Sequence, residues 1–146
     1  MRIIDYEGCY RDDLIFMILE AKDALGRIPS INPDLLDIPQ NYLEKGDCFW
    51  IAIDDNNRVI GSIAYSSLPQ SQAVFLHRLF IKSSLKGHGI GSQLLVFAEN
   101  HLKQIGKSSI KAHLGEPKEQ WLASYHFYPK HGYQFYDDTH LVKHIT

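Results

Sequence analysis

The sequence lacks the features that define several large classes of protein. Two cysteines, Cys9 and Cys48, stand among 146 residues, too few for the disulfide framework of a small secreted domain. The longest apolar run near the start, LIFMIL, is far shorter than the roughly 20 residues that span a bilayer. The first residues also lack the basic segment and long apolar stretch of a secretory signal. We therefore expect a cytoplasmic protein that does not enter a membrane.

Charge of one sign is also missing. Lysine and arginine number 15 against 17 acids, a formal net charge of −2, so no overall basic field calls for nucleic acid. The eight histidines share no metal-ligand spacing with carboxylates or thiols, so no metal site is expected. No repeat or low-complexity segment stands out. The length suits one domain covering residues 1–146.

Hydrophobic periodicity predicts an alternation of strands and helices. A short strand is followed by a helix that stops at Gly26, and by a second short helix that Pro39 should break or kink. A hairpin follows, and then AVFLHRLFIK, whose unbroken apolar pattern is typical of a strand buried on both faces. The remaining order is helix, strand, helix, and one or two strands. This order predicts a mixed α/β (α+β) domain in which helices cover a sheet.

The hexapeptide KGHGIG, residues 86–91, lies between that buried strand and the clearest helix. Glycines allow the backbone to approach a ligand closely. The first N–H groups of a helix have no helical partners, and the helix dipole makes this end positive. The turn therefore reads either as a phosphate-binding loop or as an ordinary strand-to-helix connection.

Two well-known phosphate motifs do not fit this turn. A P-loop needs G-x-x-x-x-G-K-[ST], but Lys86 precedes the glycines. The dinucleotide fingerprint G-x-G-x-x-G fails because Ser92 stands where its last glycine would be.

The segment instead resembles motif A of the GNAT acyltransferases, [QR]-x-x-G-x-[GA] after a strand. Lys86, Gly89 and Gly91 occupy its defining positions, with lysine in place of the usual arginine or glutamine. Downstream, HFYPKHGY is similar to the family pattern F-Y-x-x-x-G-[FY], through Phe127, Tyr128, Gly132 and Tyr133. Where the family often has N-x-x-A, this chain carries Trp121 and Ser124.

The resemblance implies a strongly twisted mixed sheet flanked by helices on both sides, with acetyl-CoA as the cosubstrate. It implies a β-bulge that separates the strands FLHRLFI and SSIKAHL, so that the pantetheine arm can enter between them. The cosubstrate-binding residues that it implies are Leu79, Phe80, Ile81, Lys86, Gly87, His88, Gly89, Ile90, Gly91, Ser92, Ser124 and Phe127.

The resemblance also implies two groups that handle protons. Tyr128 is the candidate acid near the cofactor sulfur, and its alternative role is packing in an aromatic stripe with Trp121 and Tyr125. His77 is the candidate base that deprotonates the amine, because an imidazole has an ordinary pKa of about 6.5. Its alternative role is a structural histidine hydrogen-bonded within the sheet.

The expected function is acetyl transfer from acetyl-CoA to a primary amine, on a small molecule or a peptide. The alternative is a non-catalytic acyl-CoA-binding sensor or interaction module; a homodimer is compatible with either. Residues 25–48 and 115–120 are expected to shape the acceptor pocket. Asp34, Asp37 and Glu44 could attract a cationic amine, or could lie on a solvated helix face.

Overall fold

The computed structural model describes all of residues 1–146. It contains one seven-stranded sheet in the order β1-β2-β3-β4-β5-β7-β6, in which β4 and β5 form the single parallel pair. The strands are β1 (Arg2–Asp5), β2 (Phe49–Ile53), β3 (Val59–Ser67), β4 (Ala73–Ile81), β5 (Ser109–His113), β6 (Gln134–Phe135) and β7 (His140–His144). The α-helices are α1 (Arg11–Ala24), α2 (Ile38–Asn41), α3 (Ile90–Gln104) and α4 (Leu122–Lys130). The mixed α/β class expected from the element order is confirmed.

Helices cover both faces of the sheet, and each face has its own apolar core. On one face α1 buries a stripe with helical spacing, and α2 packs beside it. On the other face α3 and α4 pack against the alternate side chains of the strands. Strand β2 lies between the two cores, so all five of its residues are buried. This explains its unbroken apolar sequence, FWIAI.

Close packing of α3 on the sheet depends on Gly61 in β3. A Cβ atom there would lie 2.9 Å from Leu94 Cδ1, so a larger residue would force the buried Leu94 side chain to shift. The apolar stripe of α3 is buried from Ile90 to Leu102, whereas Ile105 follows the end of the helix and is 47% exposed.

Two local expectations differ from the structure. The second helix is only one turn long, flanked by 3₁₀ turns, and Pro39 lies in its first turn, where a missing N–H breaks no helical bond. Strand β4 is well buried only in its first half, and from His77 onward its residues are half-buried. The cause is the loss of its neighbour, because β5 pairs with β4 only as far as Phe75.

No helix of the structure is long and apolar enough to cross a membrane.

Candidate functional site

A groove opens where β4 and β5 separate. The two strands are paired only from Ala73 to Phe75 on β4, so beyond Phe75 that edge of β4 has no strand partner. The groove has a volume of about 430 Å³ and is lined by β4, the turn before α3, the end of β5, the start of α4 and the end of α1. Unpaired strand backbone and apolar walls together suit an extended ligand that carries amide groups.

The glycine turn forms one end of the groove. Gly87 and Gly89 have φ angles of 83° and 82°, in the left-handed region that favours glycine, and α3 begins at Ile90. None of the backbone N–H groups from Gly87 to Ser92 donates a hydrogen bond to the protein. A Cβ atom added at Gly87 or Gly89 would meet nothing within 4 Å. The turn therefore presents free donors at a helix N-terminus, which fits a phosphate group.

The structure brings together all but one of the site residues expected from sequence. Tyr128, His77 and the expected cosubstrate-binding residues line the same groove, with His88 as the exception. His88 is exposed and does not line the groove. Its backbone N–H is one of the free donors of the turn. The chemical roles of these residues stay predictions.

A β-bulge in β4 shapes the middle of the groove. Ser62 pairs with Phe80 and Ala64 pairs with His77, so one residue of β3 faces two residues of β4. Arg78, inside the bulge, has a φ of 58°, and its carbonyl accepts a hydrogen bond from Ser62 Oγ at 2.6 Å. The bulge interrupts the alternation of side chains. His77 and Arg78 consequently both contact residues on the α1 and α2 face.

Arg78 belongs to an ion pair that sequence reasoning did not find. Its guanidinium donates two hydrogen bonds to the Asp34 carboxylate, at 2.8 and 3.0 Å, and Tyr42 Oη donates a third at 2.5 Å. Burial opposes the charge on Asp34, but the Arg78 and Tyr42 hydrogen bonds outweigh it and hold the pKa of Asp34 below its ordinary value.

The structure shows where the three acids considered for binding a cationic amine lie. Asp34 lies neither on a solvated helix face nor free to attract a cationic amine, because its charge is already matched by Arg78. Asp37 caps α2 by accepting a hydrogen bond from the Gln40 backbone at 3.1 Å. Glu44 is exposed, and neither it nor the other two acids lines the groove.

His77 lies against the edge of Tyr42, with ring centroids 6.4 Å apart. No protein group hydrogen-bonds to its imidazole, which therefore is not the sheet-bonded histidine considered as an alternative. Burial, and after it the charge of Arg78, lowers the pKa of His77 below its ordinary value. The imidazole is neutral at pH 7 and can accept a proton.

Tyr128 reaches the groove from the opposite face of the sheet. Its side chain is buried in the core beneath α4, packed edge-on against Phe127 and Tyr133. Its hydroxyl has no hydrogen-bond partner in the protein, yet the residue lines the groove. Burial raises the pKa of Tyr128 above its ordinary value of 10, so the phenol stays protonated at neutral pH. The packing role and the proton-handling role considered for Tyr128 are therefore compatible, since a packed ring still presents its hydroxyl to the groove.

Sequence reasoning missed a contact that bridges the two walls of the groove. The Arg27 guanidinium, just after α1, lies 3.4 Å from the centre of the Trp121 ring. Its Nη2 donates to the Gln120 carbonyl at 3.3 Å. A Cβ on Gly115 would overlap the Trp121 ring, so this glycine makes room for it. Arg27 and Gln120 are 93 residues apart in the chain, and no local pattern signals such a contact.

The chain is similar in sequence to a known protein family and to individual known proteins. The sequence profile described as the acetyltransferase (GNAT) family matches residues 17–133. N-acetylaspartate synthetases of Rattus norvegicus and Homo sapiens are each 35% identical over 77 residues, 49% of this chain. The matched segment is only 25% of the length of those relatives.

Solved structures share the fold over the whole chain. A GNAT-family acetyltransferase from Staphylococcus aureus Mu50 superposes with a TM-score of 0.87, at 23% identity, covering 99% of each chain. An aminoglycoside 6'-N-acetyltransferase complexed with coenzyme A superposes with a TM-score of 0.76, at 18% identity, covering 100% of this chain and 98% of the other.

Proposed function

Because this chain belongs to the acetyltransferase (GNAT) family, we propose that it transfers the acetyl group of acetyl-CoA to a primary amine. The observation that carries the proposal is the glycine turn, with its free N–H groups, at the end of a groove that splits the sheet. Acetyl-CoA supplies an activated acyl group and a thiol leaving group. Residues 1–146 act in this proposal as one N-acetyltransferase domain, whose sheet runs from β1 to β7.

The groove fits acetyl-CoA along its length. The N–H groups from Gly87 to Ser92, with Lys86 beside them, would hold the pyrophosphate. The unpaired edge of β4 at Leu79–Ile81 would hydrogen-bond the amide groups of the pantetheine arm. Ser124 and Phe127 line the wall that α4 forms. A backbone N–H of β4 that faces the groove would stabilise negative charge on the thioester oxygen, a role typically worth about 3–4 kcal/mol.

His77 is the proposed base. A lysine-like amine with a pKa of about 10.4 is protonated at neutral pH, so its nitrogen must lose a proton before it can bond to the acyl carbon. The neutral imidazole of His77 has no competing hydrogen bond and can take that proton, directly or through a water. The new N–C bond forms as the C–S bond breaks, which gives the N-acetylated amine and free thiol.

Tyr128 is the proposed partner of the departing sulfur. Its phenol has an ordinary pKa of 10, raised further by burial, whereas a free thiol has a pKa of about 8.5. Full proton transfer from Tyr128 to the thiolate is therefore uphill by at least about 2 kcal/mol. Tyr128 acts instead by donating a hydrogen bond as charge develops on sulfur, and solvent supplies the final proton.

We propose that the protein acts in the cytoplasm. Cys9 and Cys48 are both free thiols in the structure, which supports the reducing environment of the cytoplasm.

A thiol-release assay tests this function. The chain is incubated with acetyl-CoA and a panel of amines, and coenzyme A binding is measured separately by calorimetry. Tight binding with amine-dependent thiol release supports the enzyme, and Tyr128→Phe should slow the release without weakening the binding. Binding without release on any amine would favour a non-catalytic acyl-CoA-binding module. No binding at all would refute both.

A further inference from the structure

The charged residues that line the groove are all basic. The permanent cations among them are Arg27, Arg78 and Lys86, the histidines His77 and His113 also line the groove, and no aspartate or glutamate does. The chain as a whole has a net charge of −2, so this concentration is local. A groove of this character repels a polycationic amine and attracts a substrate that carries negative charge.

Most of this positive charge is accounted for. Arg78 is paired with Asp34, and His77 is neutral at pH 7 because burial lowers its pKa. Lys86 stands at the glycine turn, where the proposed cosubstrate brings its phosphates. Arg27 is the remaining permanent cation of the lining, and no carboxylate lies within 4.0 Å of it.

The guanidinium of Arg27 is incompletely satisfied. It makes one hydrogen bond, to the Gln120 carbonyl, and the Trp121 ring covers one face of the guanidinium plane. Its Nε is buried without any partner, and it is the one buried side-chain nitrogen or oxygen in the chain of which this is true. A buried donor on a charged group costs about 1–3 kcal/mol or more when it is left unpaired. Nη1 also makes no hydrogen bond, but unlike Nε it is not buried, so it is a donor that a ligand can reach. A carboxylate is a natural acceptor for such a guanidinium.

The surroundings hold Arg27 in place. Its backbone N–H donates to the Lys22 carbonyl at 3.0 Å. The Lys22 ammonium in turn donates to the Ser30 carbonyl and Asn32 Oδ1, at 2.7 and 2.6 Å. These bonds fix the loop that follows α1, and Trp121 fixes the guanidinium from the other wall. These contacts together restrict the orientation in which Arg27 faces the groove.

Arg27 and the glycine turn lie at different positions along the axis of α4. Arg27 contacts Gln120 and Trp121, immediately before that helix, whereas the start of α3 packs near Phe127 through Gly91. Phe127 follows Trp121, the N-cap of α4, by six positions, which along a helix is a rise of about 9 Å. The Arg27 charge still reaches Lys86, whose pKa is lowered by burial and then by Arg27, so a test must distinguish an acceptor from a cosubstrate phosphate.

We propose that the acceptor is an amine that also carries a carboxylate, and that Arg27 binds this carboxylate. This proposal rests on the acetyl-transfer function proposed above and names the chemical class of its acceptor.

The test uses paired amines that differ only in the anionic group. Glycine, β-alanine and 4-aminobutyrate vary the spacing between amine and carboxylate, and each is compared with its carboxamide, with spermidine as a polycation. The wild-type chain should turn over at least one amino acid with a kcat/KM about tenfold or more above that of its amide. Arg27→Gln should lower that value about 10- to 100-fold and leave the amide unchanged, as expected for loss of a charged hydrogen bond. Arg27→Lys should recover part of the loss, and Arg11→Gln, an exposed arginine outside the groove, should change nothing.

Three results would overturn the inference. The first is a kcat/KM of the wild-type chain for the amides or spermidine that equals its kcat/KM for the amino acids. In that case acetyl transfer stands and the acceptor class is wrong. Arg27→Gln could raise the KM for acetyl-CoA and not for the acceptor, which would assign Arg27 to a phosphate. If no amine releases thiol, calorimetry in the presence of coenzyme A decides. Binding of an amino acid, but not of its amide, that Arg27→Gln abolishes would support the carboxylate site, and its absence would refute it.

Discussion

Replacing Gly89 by alanine separates the ligand role of the glycine turn from its structural role. Gly89 has a φ of 82° and nothing within 4 Å of the position that a Cβ would take. The same helix offers a matched control at its other end. Gly106, beyond α3, has a φ of 85° and equally empty surroundings, but it does not line the groove.

The expected loss of stability is the same for both variants. An alanine held in the left-handed region costs about 1–2 kcal/mol, and neither variant adds a clash. For a chain of this size each kcal/mol lowers Tm by about 2–4 °C. Gly89→Ala and Gly106→Ala should therefore both unfold about 2–8 °C below the wild type, with their folds intact.

The affinity for coenzyme A should differ. The methyl group at Gly89 projects into the open space beside the free N–H groups, where a phosphate would have to approach. Loss of one charge-assisted hydrogen bond, about 1.5–3 kcal/mol, weakens binding about 10- to 100-fold. Calorimetric titration with coenzyme A should show this for Gly89→Ala alone. If both variants bind as the wild type does, the turn is an ordinary connection and the proposed phosphate site is wrong.

Three further variants address the reaction and the ion pair. Tyr128→Phe removes the hydrogen-bond donor to the developing thiolate and should lower kcat about 10²–10³-fold with little change in the KM for acetyl-CoA. Because burial raises the pKa of Tyr128, the wild-type rate should show no alkaline loss from this group below about pH 10. An unchanged kcat would remove Tyr128 from the mechanism. His77→Gln should reduce kcat/KM most near neutral pH and least at high pH, where the amine loses its proton without a base. Because the pKa of His77 is lowered, wild-type activity should extend below about pH 6.5. An equal loss of kcat/KM at every pH would assign His77 a structural role. Asp34→Asn leaves Arg78 without its partner and should lower the free energy of unfolding by about 1.5–3 kcal/mol in urea titrations at pH 7. Since the pKa of Asp34 is lowered by folding, its contribution is present above the unfolded pKa of about 3.9 and is lost as pH falls through the folded pKa. The difference between variant and wild type should therefore narrow as the pH falls below about 3.9, and a difference that does not change with pH in that range would contradict this account.

The sequence predicted those parts of the fold that depend on local pattern. The helix ending before Gly26, the hairpin and the glycine turn all follow from periodicity and turn residues within one window. The family resemblance, now confirmed by the match over residues 17–133, then predicted which segments would meet at the groove. Its residue-level predictions were placed together by the fold, apart from the side chain of His88.

The contacts between distant segments could not be predicted in the same way. Asp34 and Arg78 are 44 residues apart, and their pairing depends on a bulge that no residue type announces. Asp34 was consequently expected to be an amine attractor or a solvated acid, and it is neither. Arg27 and Trp121 meet where Gly115 leaves space for the indole and where Lys22 bonds to the loop that follows α1. Such contacts arise from packing between elements, which a single sequence does not encode in any short pattern.

The short pairing between β4 and β5 has a consequence for protection of the backbone. Only three residue pairs join these two strands, so beyond Phe75 this edge of β4 has no partner strand to protect its N–H groups from exchange with solvent. An occupant that hydrogen-bonds along the open edge would take the place of the missing strand. Amide exchange in the second half of β4 should therefore slow when the groove is filled, far more than exchange in β1 and β2, which pair with each other along the whole length of β1.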